Sequence, residues 1–198
     1  MNAVPRLTPR SRGLLALLVA LFFAPLLLAF LMYYGSHWRP LGRTNHGTLI
    51  EPPRPLPRLS LQRPDGSEAG DGVLVGRWSL VYVANGECDA ACHATLYFMH
   101  QSYLAMGNLI PRLQQVFLAT GQCCDREFLA REHPDLLALD GGGGAAATWL
   151  AQIPGDARSH TLFIVDPRGN LMMRYDAFMD PKGLREDLKK LLDLSHIG

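Results

Sequence analysis

Hydrophobic positions fall along this chain as one long block followed by several short ones. From Gly13 to Tyr34 the sequence reads GLLALLVALFFAPLLLAFLMYY, 22 positions without a charge. An α-helix rises about 1.5 Å per residue, so such a run crosses a hydrocarbon layer of roughly 30 Å. Pro25 stands mid-span, where membrane helices tolerate it because neighbouring groups re-satisfy the freed carbonyl. Tyr33, Tyr34 and Trp38 follow where amphipathic rings settle at a headgroup layer. A cleaved signal peptide is the competing reading. The run is longer than a usual signal core and no small-x-small site follows it, which favours an uncleaved anchor over 13–34.

Beyond the anchor the periodicity weakens. Residues 35–71 are rich in Pro, Gly and Arg, with five prolines between Glu51 and Gly72, and predict an extended stalk. A folded domain is expected over 72–198. Trp78–Val83, Leu113–Ala119 and Thr161–Val165 read as buried strands, and Asn170–Tyr175 as a hairpin partner after the Asp166-Pro-Arg-Gly169 turn. Cys88 to about Met106 predicts a helix. A last helix opens at Asp180-Pro181 and runs to about Leu194, with Leu184, Leu188, Leu191 and Leu192 on one face. Residues 125–152 show short helical patterns broken by Gly141–Gly144, read as a flexible loop because each Gly costs a helix roughly 1 kcal/mol. A βαβ unit followed by a ββα unit gives an α/β fold: a thioredoxin-like mixed sheet flanked by helices, preceded by one transmembrane helix.

Charge sets orientation and removes one class of partner. The formal net charge of +1 gives no footprint for nucleic acid. Arg6, Arg10 and Arg12 lie in a short tail, 1–12, with no acidic residue, against Arg39 and Arg43 beyond the span. The positive-inside rule then puts the tail in the cytoplasm and the C-terminal domain on the periplasmic or extracytoplasmic side of the inner membrane, where disulfides persist.

Four cysteines carry the candidate chemistry. Cys88 and Cys92 sit four apart at a helix start, so both sulfurs lie on one face about a turn apart. In the first turn of a helix the unpaired N–H groups favour thiolate, more for Cys88 than for Cys92. An attacking and a resolving thiolate are the minimum for dithiol–disulfide exchange. The same pair with one imidazole makes a soft site suited to copper(I) or zinc. A structural bridge, or two thiols that merely pack, is the plain alternative. Cys123 and Cys124 follow the second strand and fit a relay, metal binding together with the first pair, or an accessory pair with one free thiol. Among seven histidines, His160 immediately precedes the strand 161–165, where a thioredoxin fold packs against the active cysteines. It is the candidate ligand or general base, with capping or packing as the alternative. His93 reads as exposed or packed, and His100 is two turns from Cys92. His37, His46, His133 and His196 read as solvated.

The anchor, the Pro-rich stalk, the CxxxC and the hairpin Ile164-Val-Asp-Pro-Arg-Gly-Asn-Leu171 together resemble the Sco/SenC family over about residues 45–195. That resemblance implies a thioredoxin-fold protein assisting cytochrome c oxidase assembly, by copper(I) handling or by reducing the cysteines of its binuclear copper site. The implied ligands are Cys88, Cys92 and a histidine, His160, and the implied partners are a respiratory oxidase subunit or its assembly factors. Asp89 and His93 stand where the family has proline, and a gapless count back from Pro167 reaches Arg158, so the chain reads as a divergent branch. Two other readings of the same residues are a general membrane-tethered thiol–disulfide oxidoreductase and a pseudo-thioredoxin docking module with structural cysteines.

Overall fold

A computed structural model describes residues 9–35, 44–121, 123–153, 159–176 and 180–198. The chain divides into two units, 1–43 and 44–198. The first carries α1 (Pro9–Gly35), whose stretch from Gly13 is long and apolar enough to cross a membrane. None of that stretch is buried in protein, as a lipid-facing helix requires. Arg6, Trp38, Arg39 and Arg43 lie outside the described residues.

The second unit is built on a six-stranded mixed sheet in the order β1-β6-β5-β2-β3-β4. The strands are β1 (Thr48–Pro55), β2 (Trp78–Asn85), β3 (Leu113–Thr120), β4 (Leu136–Asp140), β5 (Thr161–Val165) and β6 (Asn170–Asp176). β2, β3 and β4 are parallel. β5 runs antiparallel to β2, β6 to β5, and β1 to β6. The helices are α2 (Ala90–Leu104), α3 (Arg126–Glu132), α4 (Gly144–Ala151) and α5 (Pro181–Leu194).

Alternation along the strands sorts the core into two layers. Leu80, Tyr82, Phe117, Leu162 and Ile164 face Leu96 and Met99 of α2 and Leu184, Leu188 and Leu192 of α5. Val81, Val83, Val116, Leu118, Phe163 and Val165 face Trp149 of α4 together with Leu56 and Leu61. With both faces covered, the central strands read as continuous apolar runs. α5 starts where expected, its Asp180 side chain accepting from the Lys182 backbone N–H at 3.0 Å, with Pro181 in its first turn.

Three expectations change. Residues 44–71 belong to the folded unit and do not form a stalk: β1 is an edge strand, and Leu56 and Leu61 are buried. Edge position explains how a Pro-rich segment joins a sheet, since only one side of the strand must pair. Pairing is made at Thr48, Leu49, Arg54 and Pro55, and the irregular stretch between holds Pro52 and Pro53. The 125–152 segment contains a strand, β4, which the helical reading missed. Gly141–Gly144 is an ordered connection: Gly141 N–H donates to Ala119 C=O at 2.6 Å, and Gly144 begins α4. A Cβ at Gly141 would meet that carbonyl oxygen at 2.5 Å, so close approach of backbone demands glycine there.

A buried carboxylate fastens the sheet to α5. Asp187 accepts from the backbone N–H groups of His46 (2.8 Å) and Gly47 (2.9 Å) and from the Tyr175 hydroxyl (2.8 Å). Burial, reinforced by the bond to Asp187 and its charge, pushes the Tyr175 hydroxyl pKa well up.

Candidate functional site

Parallel pairing of β2 with β3 ends at Asn85↔Thr120, and the chain then turns into α2 through Gly86, Glu87, Cys88 and Asp89. Gly86 N–H donates to Thr120 C=O at 3.0 Å, and Cys88 N–H to Asn85 C=O at 3.1 Å. Asp89 is the N-cap of α2, its Oδ1 accepting from Cys92 N–H at 2.9 Å. Cys88 therefore stands just outside the helix, and Cys92 ends its first turn. The expectation that Cys88 occupies that first turn is corrected: the terminal N–H of Cys92 is taken by the carboxylate of Asp89, between the two cysteines in sequence.

Cys88 and Cys92 are bridged, with Cα atoms 5.0 Å apart, inside the usual span for a disulfide. A bridge over four residues fits poorly in a regular helix interior. Here Cys88 has φ +48° and has left the helix, which removes that objection. The pair is deep: Cys92 is fully buried and Cys88 retains 6% exposure.

His160 immediately precedes β5, whose Thr161 pairs with Val83 of β2. Its φ is +49°, and it and Cys88 are the only non-glycine residues in the left-handed region among the described residues. Such backbone costs of order 1–3 kcal/mol and persists where surrounding structure over-determines it, commonly at functional sites. The His160 ring is engaged on both sides: Nδ1 lies 3.1 Å from the Tyr82 hydroxyl, and Nε2 lies 3.7 Å from Asp89 Oδ2. Burial raises the Tyr82 pKa to about 12, with the Thr95 hydroxyl opposing and the Asp89 charge adding, so the phenol stays protonated at neutral pH. From the sequence alone Tyr82 has no role, and Asp89 is marked only as standing where the resembled family has proline. A tyrosine inside an otherwise apolar strand and an Asp directly before a helix were the signals available.

Residues 78–195 match the family described as "Transmembrane-like, thioredoxin-like, C-terminal domain". The chain belongs to this family. No curated protein matches it. Among solved structures it is similar to the apo Sco1 protein of Thermus thermophilus, with 20% identity, 76% of this chain and 99% of that one covered, and a TM-score of 0.62. It is similar too to yeast Sco1 with copper bound, with 17% identity, coverage of 78% and 96%, and a TM-score of 0.58. A secreted Mycobacterium tuberculosis disulfide oxidoreductase homologous to E. coli DsbE follows, with 15% identity, coverage of 68% and 96%, and a TM-score of 0.51. At these identities the likeness shows the shared fold.

The remaining candidates fall as follows. Among the described residues no group of three or more His, Cys, Asp or Glu side chains is arranged to hold a metal ion. The sulfurs of Cys88 and Cys92 are bonded to each other and the His160 ring is turned to Tyr82 and Asp89, so in this disulfide form the trio does not fit a copper centre. Arg158 lies outside the described residues. Cys123 and Cys124 are bridged to each other, so the expected free thiol is absent: all four cysteines are paired. His93 is exposed and packs its ring on Phe128, centroids 4.1 Å apart. His133, read as solvated, is buried at the end of α3, where the rings of Phe128 and His100 pack against it. Burial lowers its pKa, and His100 and His93 add to this against an opposing Glu132. His46 is exposed and paired with Glu186 at 2.9 Å, and His37 lies outside the described residues.

Proposed function

We propose that this chain is a membrane-anchored dithiol–disulfide exchange protein of the extracytoplasmic face, acting in a Sco-like way on the cysteines of a respiratory oxidase subunit or its assembly factors. One observation carries the reading: the bridged Cys88–Cys92 pair at the β2–α2 junction, with Cys88 held outside the helix in a left-handed backbone. In the reduced form the Cys88 thiolate attacks a partner disulfide, one partner sulfur leaves as thiolate, and a mixed disulfide forms. The Cys92 thiolate then attacks Cys88 Sγ and releases the second partner thiol. Two electrons and two protons pass to the partner, and the Cys88–Cys92 bond returns. Exposure supports this order of attack, since Cys88 keeps a narrow opening to the surface and Cys92 has none. His160, set against Tyr82 and Asp89, acts in this reading as a positioning residue through Asp89, the cap between the two cysteines.

Copper(I) carriage is the second reading. Its support is the soft donor set of two sulfurs and a neighbouring imidazole, on a fold shared with a copper-bound yeast Sco1. The two readings separate in one comparison. Cys88→Ser and Cys92→Ser chains are expected to lose oxidase assembly in the host under either. Copper(I) titration of the reduced full chain in detergent, competed against a chromophoric chelator, reads carriage alone. One tightly bound equivalent, lost in Cys88→Ser and His160→Ala, makes copper the cargo. Weak binding indifferent to both leaves exchange. Intact oxidase assembly in both cysteine variants overturns the oxidase role.

A further inference from the structure

β2 and β3 are paired in parallel from Trp78↔Leu113 to Asn85↔Thr120, so their carboxyl ends emerge together at one end of the sheet, strands about 4.8 Å apart. Each end is followed three residues on by a cysteine of a bridged pair: Cys88 after Asn85, and Cys123 after Thr120. Contacts tie the two segments together. Gly86 N–H donates to Thr120 C=O, and the ring of His93, the residue after Cys92, packs on Phe128, four residues after Cys124. Cys123 and Cys124 pack against the same apolar cluster that contains Cys88 and Cys92. Both disulfides thus follow neighbouring strand ends and meet one apolar cluster, and exchange through Cys88 and Cys92 alone does not use the second.

From this juxtaposition we propose that Cys123–Cys124 is a second redox pair, which accepts two electrons from an external protein dithiol and passes them to Cys88–Cys92 by intramolecular exchange. The inference rests on the exchange reading of Cys88 and Cys92 given above. Exposure favours this direction: Cys88 reaches the surface only narrowly, whereas Cys123 and Cys124 are both half-buried and offer an external protein dithiol the wider approach.

The steps balance. An external thiolate attacks a sulfur of Cys123–Cys124, and the neighbouring sulfur leaves as thiolate. The partner's second thiolate closes its own disulfide and frees the other cysteine. One of these two thiolates attacks Cys88 Sγ, breaking the bond to Cys92, which leaves as thiolate and is protonated. The second then attacks the mixed disulfide, re-forming Cys123–Cys124 and releasing Cys88. The net result is an oxidised partner, a reduced Cys88/Cys92 dithiol and an unchanged Cys123–Cys124 bond.

The test uses the full chain in detergent micelles. Four double variants, each keeping one cysteine of either pair (Cys92→Ser with Cys124→Ser is one), are equilibrated in glutathione buffer and peptide-mapped. Reduction of Cys88–Cys92 by reduced thioredoxin is then timed in the wild type and in chains carrying Cys123→Ser with Cys124→Ser, or Cys123→Ala with Cys124→Ala. Circular dichroism checks that each is folded. A cross-pair bridge in at least one variant, and reduction by thioredoxin at least tenfold slower without Cys123 and Cys124, are the expected results. Dithiothreitol, small enough to reach Cys88 directly, should reduce all of these chains equally well. Equal rates with thioredoxin overturn the relay. A folded chain whose Cys88–Cys92 bond neither reductant opens overturns the exchange reading itself, and the relay with it.

Discussion

The Tyr82 hydroxyl lies 3.1 Å from Nδ1 of His160, while the other ring nitrogen faces the Asp89 carboxylate at 3.7 Å. A strand residue, a residue at a strand entrance and a helix cap thereby converge beside the Cys88–Cys92 bridge. The buried phenol keeps its proton, and its oxygen stands within hydrogen-bond distance of Nδ1. Asp89 in turn holds Cys92 N–H, so the imidazole, the cap and the cysteine loop are fixed together.

Tyr82→Phe removes one hydrogen bond from a fully buried position and keeps the ring. We expect a loss of about 1 kcal/mol, measured by urea denaturation of the oxidised chain. His160→Phe should couple to it, so the double variant loses less than the sum of the singles.

Asp89→Ala removes both the α2 cap and the anion facing His160. A stability loss of about 1 kcal/mol is expected from the cap. The Cys88 thiol of the reduced chain should also alkylate faster near neutral pH, because a negative charge is gone from beside it. Iodoacetamide kinetics read this directly.

Asp187 is buried and accepts three hydrogen bonds, so Asp187→Ala leaves two backbone N–H groups and the Tyr175 hydroxyl without their partner. The expected cost is about 3 kcal/mol, seen as a lower urea midpoint. The raised pKa of Tyr175 adds a pH signature. Its neutral form is favoured by folding, so that stabilisation is whole below the ordinary tyrosine pKa of about 10 and is lost as pH rises beyond it.

His133 gives the opposite slope. Its folded pKa is lowered, chiefly by burial, so the unfolded chain binds the proton more readily. Its share of stability is present above the ordinary histidine pKa of about 6.5 and falls as pH drops below it. His133→Phe should flatten the pH dependence of the urea midpoint on that acid side.

Much of this architecture was legible in the chain. β2, β3 and β5 are buried on both faces, and a run such as Trp78–Val83 shows that as unbroken apolar sequence. The cap at Asp180 and the leucine stripe of α5 are local signals. β1 was hidden because its prolines are tolerated only at a sheet edge, a property of the finished sheet. β4 was hidden because Leu136–Asp140 is short and mostly half-buried beside a glycine run. Cys88, Cys92 and His160 could be named from their places relative to strands. The Tyr82–His160–Asp89 contacts and the burial of His133 depend on tertiary approach, which no spacing encodes.

The most direct test of the central claim is a trapping experiment on the reduced full chain in detergent, mixed with a protein disulfide substrate and quenched with a mass-tagging alkylator. With Cys88 as attacking and Cys92 as resolving thiolate, the wild type loses thiols at both positions as the substrate gains two, Cys92→Ser accumulates a mixed disulfide through Cys88, and Cys88→Ser accumulates none there. Persistent wild-type thiols at both positions, with no adduct on Cys92→Ser, would contradict that claim.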